Sequence, residues 1–340
     1  TFGDIKVLGD FKTNEDYMPY FHSLKKNCVT GYTYASIVGG QTANTEFELL
    51  TGNTLGFLSA GTTAFQLYIH GQMPSLVSNL KAEGYSGNKA MHPFNPYNYN
   101  RPAVYKDFGF TDFIDKFDFP KNVKRVREYI SDEANVDRII SEYEKNRKKT
   151  DQPFYMYNMT IQNHSPYDKD AANFKQPIKI ESSKYDAEAN RYLNLIKYSD
   201  DSLKQLTSYF EKCKEPTIIL FLGDHQPRLT DEFMNKITNG QYQTWSSEQL
   251  MKRYQVPFVI WANYDIKEQH IEKTSMNYIQ SILTKTAGVK MTGYQRFLNE
   301  VRKEVPTITS QGYWGKNGKF YQINDCLLYT SDAADDLIGV

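Results

Sequence analysis

The sequence predicts an α/β fold in which helices cover both faces of a mostly parallel sheet. Short apolar runs that suit buried strands alternate along the chain with longer stretches of helical periodicity. The clearest run, residues 217–222, has five apolar residues out of six and leads directly into Gly223, Asp224 and His225. Because ligands of open α/β sheets bind beyond the carboxyl ends of the strands, we expect an active site at this turn.

The first fifty residues predict a helix, a strand and a second helix. Aromatic and aliphatic residues at helical spacing indicate a helix over residues 14–26, and alternation indicates a strand over residues 28–36. A glycine-rich loop then leads into the second helix, which we expect to end at a glycine. Thr42 and Thr45 are candidate N-caps of that helix, and Glu46 adds to the capping pattern.

In the middle of the chain, helices are predicted over residues 75–83 and 123–148, and strands over residues 85–90 and 153–160. We expect the second of these helices to break near Ser131. Residues 92–101 are dense in Pro and Asn and therefore predict an irregular loop.

In the rest of the chain, helices are predicted over residues 187–213 and 275–287, and strands over residues 217–222 and 256–261. A hairpin is predicted over residues 311–321. We divide the chain into a catalytic core of residues 1–270, a small C-terminal α+β subdomain of residues 271–325, and a tail of residues 326–340. The tail resembles a translated sequencing adapter, so we expect it to be non-native and exclude it from the fold.

Composition narrows the classes of function. The chain has 40 basic and 40 acidic residues, so no net charge directs it towards nucleic acid. No apolar run approaches the twenty residues of a transmembrane helix within this sequence. Its three cysteines have neither the spacing of a metal site nor that of a redox motif.

Four predicted loops carry side chains suited to phosphoryl transfer: residues 39–45, 92–101, 163–164 and 223–225. Three of the chain's six histidines lie in these loops, together with a threonine at a helix start, an arginine and an aspartate. Asp224 and His225 offer an oxygen and a nitrogen to one divalent cation. Each residue also has a simpler interpretation, since Thr42 could cap a helix, Arg101 could form a surface ion pair and His164 could end a strand.

The motifs of these loops resemble, in the same order, those of the lipoteichoic acid synthase family, which are sulfatase-like phosphoglycerol transferases of the alkaline phosphatase superfamily. The motifs are Gly40-Gln-Thr-Ala-Asn-Thr-Glu-Phe-Glu, His92-Pro with Tyr99-Asn-Arg-Pro, Asn163-His-Ser-Pro-Tyr, and Gly223-Asp-His. The resemblance spans residues 1–324 and implies an alkaline phosphatase/sulfatase-like fold.

The resemblance also implies a role for each residue. Thr42 is the expected nucleophile, which becomes phosphorylated and contacts the metal, and Asp224 and His225 are the expected metal ligands. The substrate phosphate is expected to be held by Arg101 and His164, with His92 beside them. The family's fourth ligand is a Glu directly before a Ser/Thr-Phe pair, so we expect it immediately upstream of Thr1, with an N-terminal bundle of transmembrane helices further upstream.

The implied reaction is transfer of glycerol phosphate from phosphatidylglycerol to a polyglycerolphosphate acceptor, with Mn²⁺, or else Mg²⁺, as the cation. The implied location is the extracellular face of the cell membrane. Three alternatives stay open: a phosphoethanolamine transferase, a related phosphodiester hydrolase, and an inactive protein that binds anionic cell-wall polymer. Sulfate ester hydrolysis is disfavoured because neither Cys28 nor Cys213 lies in a C-x-P-x-R context.

Overall fold

The structure is a computed structural model, and it describes residues 1–181 and 187–323. Cys326 and the predicted tail of residues 326–340 lie outside the described residues. The α-helices are Pro19–Ser23 (α1), Thr42–Thr51 (α2), Ala64–Leu67 (α3), Leu76–Ala82 (α4), Arg101–Phe108 (α5), Asp132–Arg147 (α6), Ala187–Phe210 (α7), Asp231–Ile237 (α8), Ser247–Leu250 (α9), Met276–Thr286 (α10) and Gly293–Glu304 (α11). The strands are Cys28–Tyr34 (β1), Ser86–Met91 (β2), Asp112–Ile114 (β3), Arg125–Val126 (β4), Tyr129–Ile130 (β5), Phe154–Asn158 (β6), Ile218–Leu222 (β7), Gln255–Ala262 (β8), Gln269–Ser275 (β9), Thr307–Ile308 (β10), Gly312–Trp314 (β11) and Phe320–Gln322 (β12).

Two sheets form the centre of the molecule. One has the order β3-β2-β6 and is parallel throughout. The other has the order β7-β8-β1-β9, in which β1 and β9 are parallel and β8 runs antiparallel to both β7 and β1. The prediction of a mostly parallel sheet flanked by helices is therefore confirmed.

Strand β8 shows how the helices cover both faces of a sheet. Phe258 and Ile260 point into an apolar cluster that includes residues of α2 and α10. Val259 and Trp261, which alternate with them, pack in a second cluster against α7. Since successive side chains of a strand point to opposite faces, the uninterrupted apolar sequence of β8 is what a strand covered on both sides requires.

Two predicted helices differ from the structure. The helix expected over residues 14–26 is limited to α1, because the Asp16 side chain accepts a hydrogen bond from the Met18 amide and holds the chain in a turn before Pro19. Residues 125–130 of the helix expected over residues 123–148 instead form the β4–β5 hairpin. Helix α6 begins at Asp132 because the Ser131 side chain caps it by accepting from the Ala134 amide.

One further expectation is corrected, and one helix had not been predicted. Helix α5 begins at Arg101, the last residue of the stretch predicted as an irregular loop, where left-handed Asn100 precedes Arg101 and Pro102. Strand β7, expected to be buried on both faces, is half-buried at all five positions. Within the described residues β7 pairs only with β8, so it lies at the edge of its sheet.

The C-terminal part of the described chain contains the small antiparallel sheet β10-β11-β12. Strand β9 pairs with β1 of the central sheet, and α10 packs against α2. The domain boundary at residue 270 stays a prediction. None of the described helices is long and apolar enough to cross a membrane.

Candidate active site

The hydroxyl of Thr42 lies at the start of α2, where the chain leaves a glycine-rich loop. Gln41, which precedes the helix, has a left-handed backbone (φ 60°) and makes no side-chain cap. The expectation that Thr42 or Thr45 caps this helix is therefore wrong. The Thr45 hydroxyl instead donates to the backbone carbonyl of Asp224 at 2.7 Å, which ties α2 to the turn after β7.

Three side-chain atoms that could coordinate a cation lie close together where α2 meets the turn after β7. Thr42 Oγ1 donates to Asp224 Oδ2 at 3.0 Å, and His225 Nε2 is 3.4 Å from Thr42 Oγ1 and 3.2 Å from Asp224 Oδ2. The turn that carries Asp224 and His225 requires a glycine before it, because a Cβ on Gly223 would lie 1.9 Å from the carbonyl oxygen of Phe2. This contact explains the glycine of the Gly-Asp-His motif.

The hydrogen bonds and charges around Asp224 and His225 fix their protonation. His225 Nδ1 lies 2.9 Å from the Gln226 carbonyl oxygen, so it carries the proton and leaves the Nε2 lone pair facing Thr42. Burial lowers the pKa of His225, although the Asp224 charge acts against this, so the ring is neutral. Asp224 is 7% exposed, and its Oδ2 accepts the hydrogen bond of Thr42, as an ionised carboxylate does.

The backbone nitrogen of Thr1 lies 3.3 Å from Asp224 Oδ1. The Asn163 side chain donates to the Thr1 carbonyl at 3.0 Å. Thr1 therefore lies between the loop that follows β6 and the turn that follows β7.

Arg101 is almost wholly buried, with 2% of its surface exposed, and it forms an ion pair with Glu46 of α2. Its Nε and Nη2 donate to Glu46 Oε1 at 3.2 and 2.5 Å, and the Tyr105 hydroxyl donates to the other carboxylate oxygen. Burial acts to lower the pKa of Arg101, but the Glu46 charge outweighs it and raises that pKa. Glu46 therefore orients the arginine, a role that the capping interpretation of its sequence missed.

His92 directly follows β2 and is 4% exposed. Its Nδ1 donates to the Met159 carbonyl at 2.9 Å, which leaves Nε2 without a proton. Burial lowers the pKa of His92 to about 3, with the Arg101 charge acting in the same direction. His92 is therefore a neutral hydrogen-bond acceptor near neutral pH.

His164 lies in the loop after β6 and is exposed. Its Nδ1 donates to the Ser165 carbonyl at 2.6 Å. Phe94 stacks against the imidazole with ring centroids 6.1 Å apart. Phe94 belongs to the predicted irregular loop, and no sequence pattern had singled it out.

All six residues predicted from the sequence line one cavity of about 120 Å³: Thr42, His92, Arg101, His164, Asp224 and His225. Arg228 also lines this cavity and was missed by the sequence analysis. Its position four residues after Asp224, in the same turn, was the available signal. The cavity combines a hydroxyl, a carboxylate, imidazoles and two guanidinium groups, which is a set of groups suited to phosphate esters.

The side chains at this site provide some of the ligands that a single divalent cation requires. Within the described ranges no three His, Cys, Asp or Glu residues gather as a metal site. Asp224 and His225 nevertheless provide one oxygen and one nitrogen ligand, and the Thr42 hydroxyl adds a third donor within 3.4 Å of both. These separations match neighbouring ligands of one small cation, whose remaining positions substrate oxygen or water would fill.

Comparison with known proteins shows how far these features are shared. The sulfatase family model matches residues 2–289. A protein of Rhizobium meliloti (strain 1021), whose proposed role is cyclic beta-1,2-glucan modification, is 32% identical over 327 residues, which cover 94% of this chain and 49% of that protein. The lipoteichoic acid synthase of Staphylococcus aureus (strain USA300) is 28% identical over 196 residues, which cover 55% of this chain and 28% of the synthase. The chain therefore spans half or less of the length of these relatives.

Among solved structures, the phosphoglycerol transferase GacH of Streptococcus pyogenes, in complex with sn-glycerol-1-phosphate, superposes with a TM-score of 0.74 at 19% identity. The superposition covers 90% of this chain and 77% of GacH. At this level of identity the likeness shows a shared fold. The predicted alkaline phosphatase/sulfatase-like fold is thereby confirmed.

Proposed function

The chain belongs to the sulfatase family, and from this premise we propose that it is a metal-dependent phosphoglycerol transferase. It moves glycerol phosphate from phosphatidylglycerol to a polyglycerolphosphate acceptor through a phosphothreonine at Thr42. The observation that carries this proposal is the position of the Thr42 hydroxyl, 3.0 Å from Asp224 and 3.4 Å from His225, in a cavity that it shares with Arg101.

The choice of glycerol phosphate rests on the similar proteins. GacH is named as a phosphoglycerol transferase and its structure holds sn-glycerol-1-phosphate. The Staphylococcus aureus relative is named as a lipoteichoic acid synthase. A threonine, rather than a cysteine or serine in a C-x-P-x-R context, begins α2, which supports phosphoryl transfer over sulfate ester hydrolysis.

In the first step, a bond forms between Thr42 Oγ1 and the phosphorus of the donor, and the bond from phosphorus to the diacylglycerol oxygen breaks. The hydroxyl proton passes to solvent, and the departing oxygen takes up a proton as diacylglycerol leaves. Arg101 lies buried on the cavity wall, where its charge stabilises the phosphate oxygens. His164 lines the same wall at the phosphate site, and His92 lies beside it as a neutral acceptor that can take a hydrogen bond from a substrate hydroxyl.

In the second step, a glycerol hydroxyl of the acceptor attacks the phosphorus, and the bond from phosphorus to Thr42 Oγ1 breaks. The acceptor proton returns to the threonine, so the enzyme is regenerated. The two displacements leave the acceptor longer by one glycerol phosphate unit.

Members of the sulfatase and alkaline phosphatase superfamily are metal-dependent. In this chain Thr42, Asp224 and His225 would hold the cation, which we propose to be Mn²⁺ or, failing that, Mg²⁺. When bound, the cation supplies positive charge that acidifies the Thr42 hydroxyl and neutralises phosphoryl oxygen. We further propose that the reaction takes place on the extracellular face of the cell membrane, because its donor is a membrane phospholipid.

A second candidate acceptor is a glucan. The Rhizobium meliloti protein is matched over 94% of this chain, and its name concerns modification of cyclic beta-1,2-glucan. The chemistry at Thr42 would be unchanged, because a sugar hydroxyl can replace the glycerol hydroxyl in the second step.

The proposal is tested with fluorescent phosphatidylglycerol and titrated Mn²⁺ or Mg²⁺. Release of diacylglycerol is measured with an oligomeric glycerolphosphate, a cyclic glucan or water as the acceptor, and mass spectrometry of the quenched protein locates the covalent adduct. We expect metal-dependent release and a glycerophosphoryl group on Thr42. The absence of release with every acceptor, or an adduct on another residue, would contradict the proposal.

A further inference from the structure

The loop that carries His164 is held from outside the cavity by one arginine. Arg127 Nη1 donates to the Pro166 carbonyl at 2.7 Å, and Nη2 donates to the carbonyls of Gln162 and His164, both at 2.7 Å. The planar fork of an arginine allows all three bonds at once, which a lysine could not reproduce with the same directions. Arg127 itself is not among the residues that line the cavity.

Arg127 occupies an unusual position for an arginine. It lies in the two-residue turn between β4 and β5, with a left-handed backbone (φ 54°). Glycine is favoured at such a position, and other residues rarely adopt this conformation. The Asn173 side chain fixes the turn by accepting from the Arg127 amide at 3.1 Å and donating to the Arg125 and Arg127 carbonyls. Arg127 therefore occupies a position whose backbone conformation favours glycine.

Aromatic rings complete the arrangement. The Arg127 guanidinium lies 5.2 Å from the centroid of Tyr129 and 5.8 Å from that of Tyr167, within the range of cation–π contacts. Tyr129, in β5, also packs against the His164 ring with centroids 5.8 Å apart. Phe94 stacks on the same imidazole. The hairpin thus contacts both the backbone and the ring of the loop that carries His164.

We propose that Arg127 is a positioning residue, which fixes the His164 imidazole against the substrate phosphate without touching the substrate. The loop after β6 is not itself a helix or strand, and the guanidinium bonds three of its carbonyls within five residues. Loss of these bonds leaves the ring free to leave its place beside Phe94. The effect on turnover rests on the proposed function, whereas the effect on the ring does not.

The test uses Arg127→Gly, which suits the left-handed turn and removes the whole side chain, including the guanidinium. Its matched control is Arg125→Gln in the same hairpin, because the exposed Arg125 side chain bonds Glu128 and not the His164 loop. The imidazole ¹⁵N–¹H spectrum reports the His164 ring, and the exposed His22 and His270 serve as internal references. Turnover of fluorescent phosphatidylglycerol gives kcat and KM separately, and 10–50 mM guanidinium is then added as a rescue probe.

We expect the His164 signal to shift or broaden in Arg127→Gly while both reference signals stay in place. We also expect kcat to fall about 10- to 100-fold with KM changed about twofold or less, since a misplaced catalytic group loses rate at that scale. Guanidinium should restore part of kcat in Arg127→Gly and leave Arg125→Gln unchanged. If the His164 signal does not move in Arg127→Gly, the inference is overturned, whether or not the wild-type protein cleaves phosphatidylglycerol. If the signal moves but kcat is unchanged, the inference is overturned as well.

Discussion

The buried pair between Glu46 and Arg101 gives the most direct energetic prediction. Neither side chain reaches solvent appreciably, with 0% and 2% of their surfaces exposed. Removing one partner of a buried pair leaves an uncompensated charge and costs about 3–5 kcal/mol of the free energy of unfolding. We therefore expect Glu46→Leu and Arg101→Met each to lower stability by about that amount.

The double variant should behave differently. Replacing both charges with apolar groups of similar volume removes the cost of burying them, and such replacements are often close to neutral. We expect Glu46→Leu/Arg101→Met to lie within about 2 kcal/mol of the wild type, which gives a coupling energy of about 4 kcal/mol or more. Turnover should nevertheless be lost in all three variants, because the arginine is either absent or no longer oriented towards the phosphate.

The measurement is urea-induced unfolding of the four proteins, followed by tryptophan fluorescence, with turnover measured on the same preparations. Glu300→Leu is the control, since Glu300 and its partner Lys303 are both exposed and their ion pair should contribute at most about 1 kcal/mol. Additive losses of stability in the double variant would refute the reasoning. Wild-type turnover in Arg101→Met would refute the assigned role of the arginine.

Three further predictions concern the nucleophile, the metal and a buried acid. Thr42→Ala should reduce turnover about 10³-fold or more and change the free energy of unfolding by about 1 kcal/mol or less, while Thr42→Ser keeps activity; retained activity in Thr42→Ala would move the nucleophile elsewhere. Asp224→Asn and His225→Ala should each lower the Mn²⁺ content measured by elemental analysis after dialysis, and unchanged content in both would make the Gly-Asp-His turn structural. Burial raises the pKa of Glu48 to about 7 from 4.5, so its contribution to stability is complete below pH 4.5 and is lost as the pH rises through 7. Between pH 5 and pH 8 the wild type should therefore lose about 2 kcal/mol relative to Glu48→Gln in urea unfolding, and parallel curves for the two proteins would contradict this.

The sequence predicted the elements that have a strong local pattern. Helix α7 and strand β8 were found because apolar residues repeat along them with the period of a helix or form a run suited to a buried strand. The site residues were found for a related reason, since each lies in a short motif at the end of an element. All six line one cavity, as the joint order of the motifs predicted, whereas their individual roles stay predictions.

The errors arise where a local pattern competes with contacts from elsewhere in the chain. Residues 123–131 carry charges at spacings compatible with a helix, yet Val126 and Ile130 are buried in a hairpin whose turn is fixed by Asn173. The role of Glu46 was missed for the same reason, because its partner Arg101 lies 55 residues further along the chain. No window of sequence around Glu46 distinguishes a buried ion pair from a helix cap.

These long-range contacts also show how the site acquires its geometry. The motifs provide the groups proposed to react, and two of these are held in place by bonds to distant segments: Thr45 binds the Asp224 carbonyl from 179 residues away, and Arg127 binds the His164 carbonyl from 37 residues away. Neither of these bonds involves an atom that reacts. It follows that the precision of the site depends on side chains outside the motifs, because loops that end different strands share no local bond that could set their separation. A motif match therefore suggests the chemistry, while on our proposal the rate at which that chemistry proceeds also depends on residues such as Arg127 that the motif does not contain.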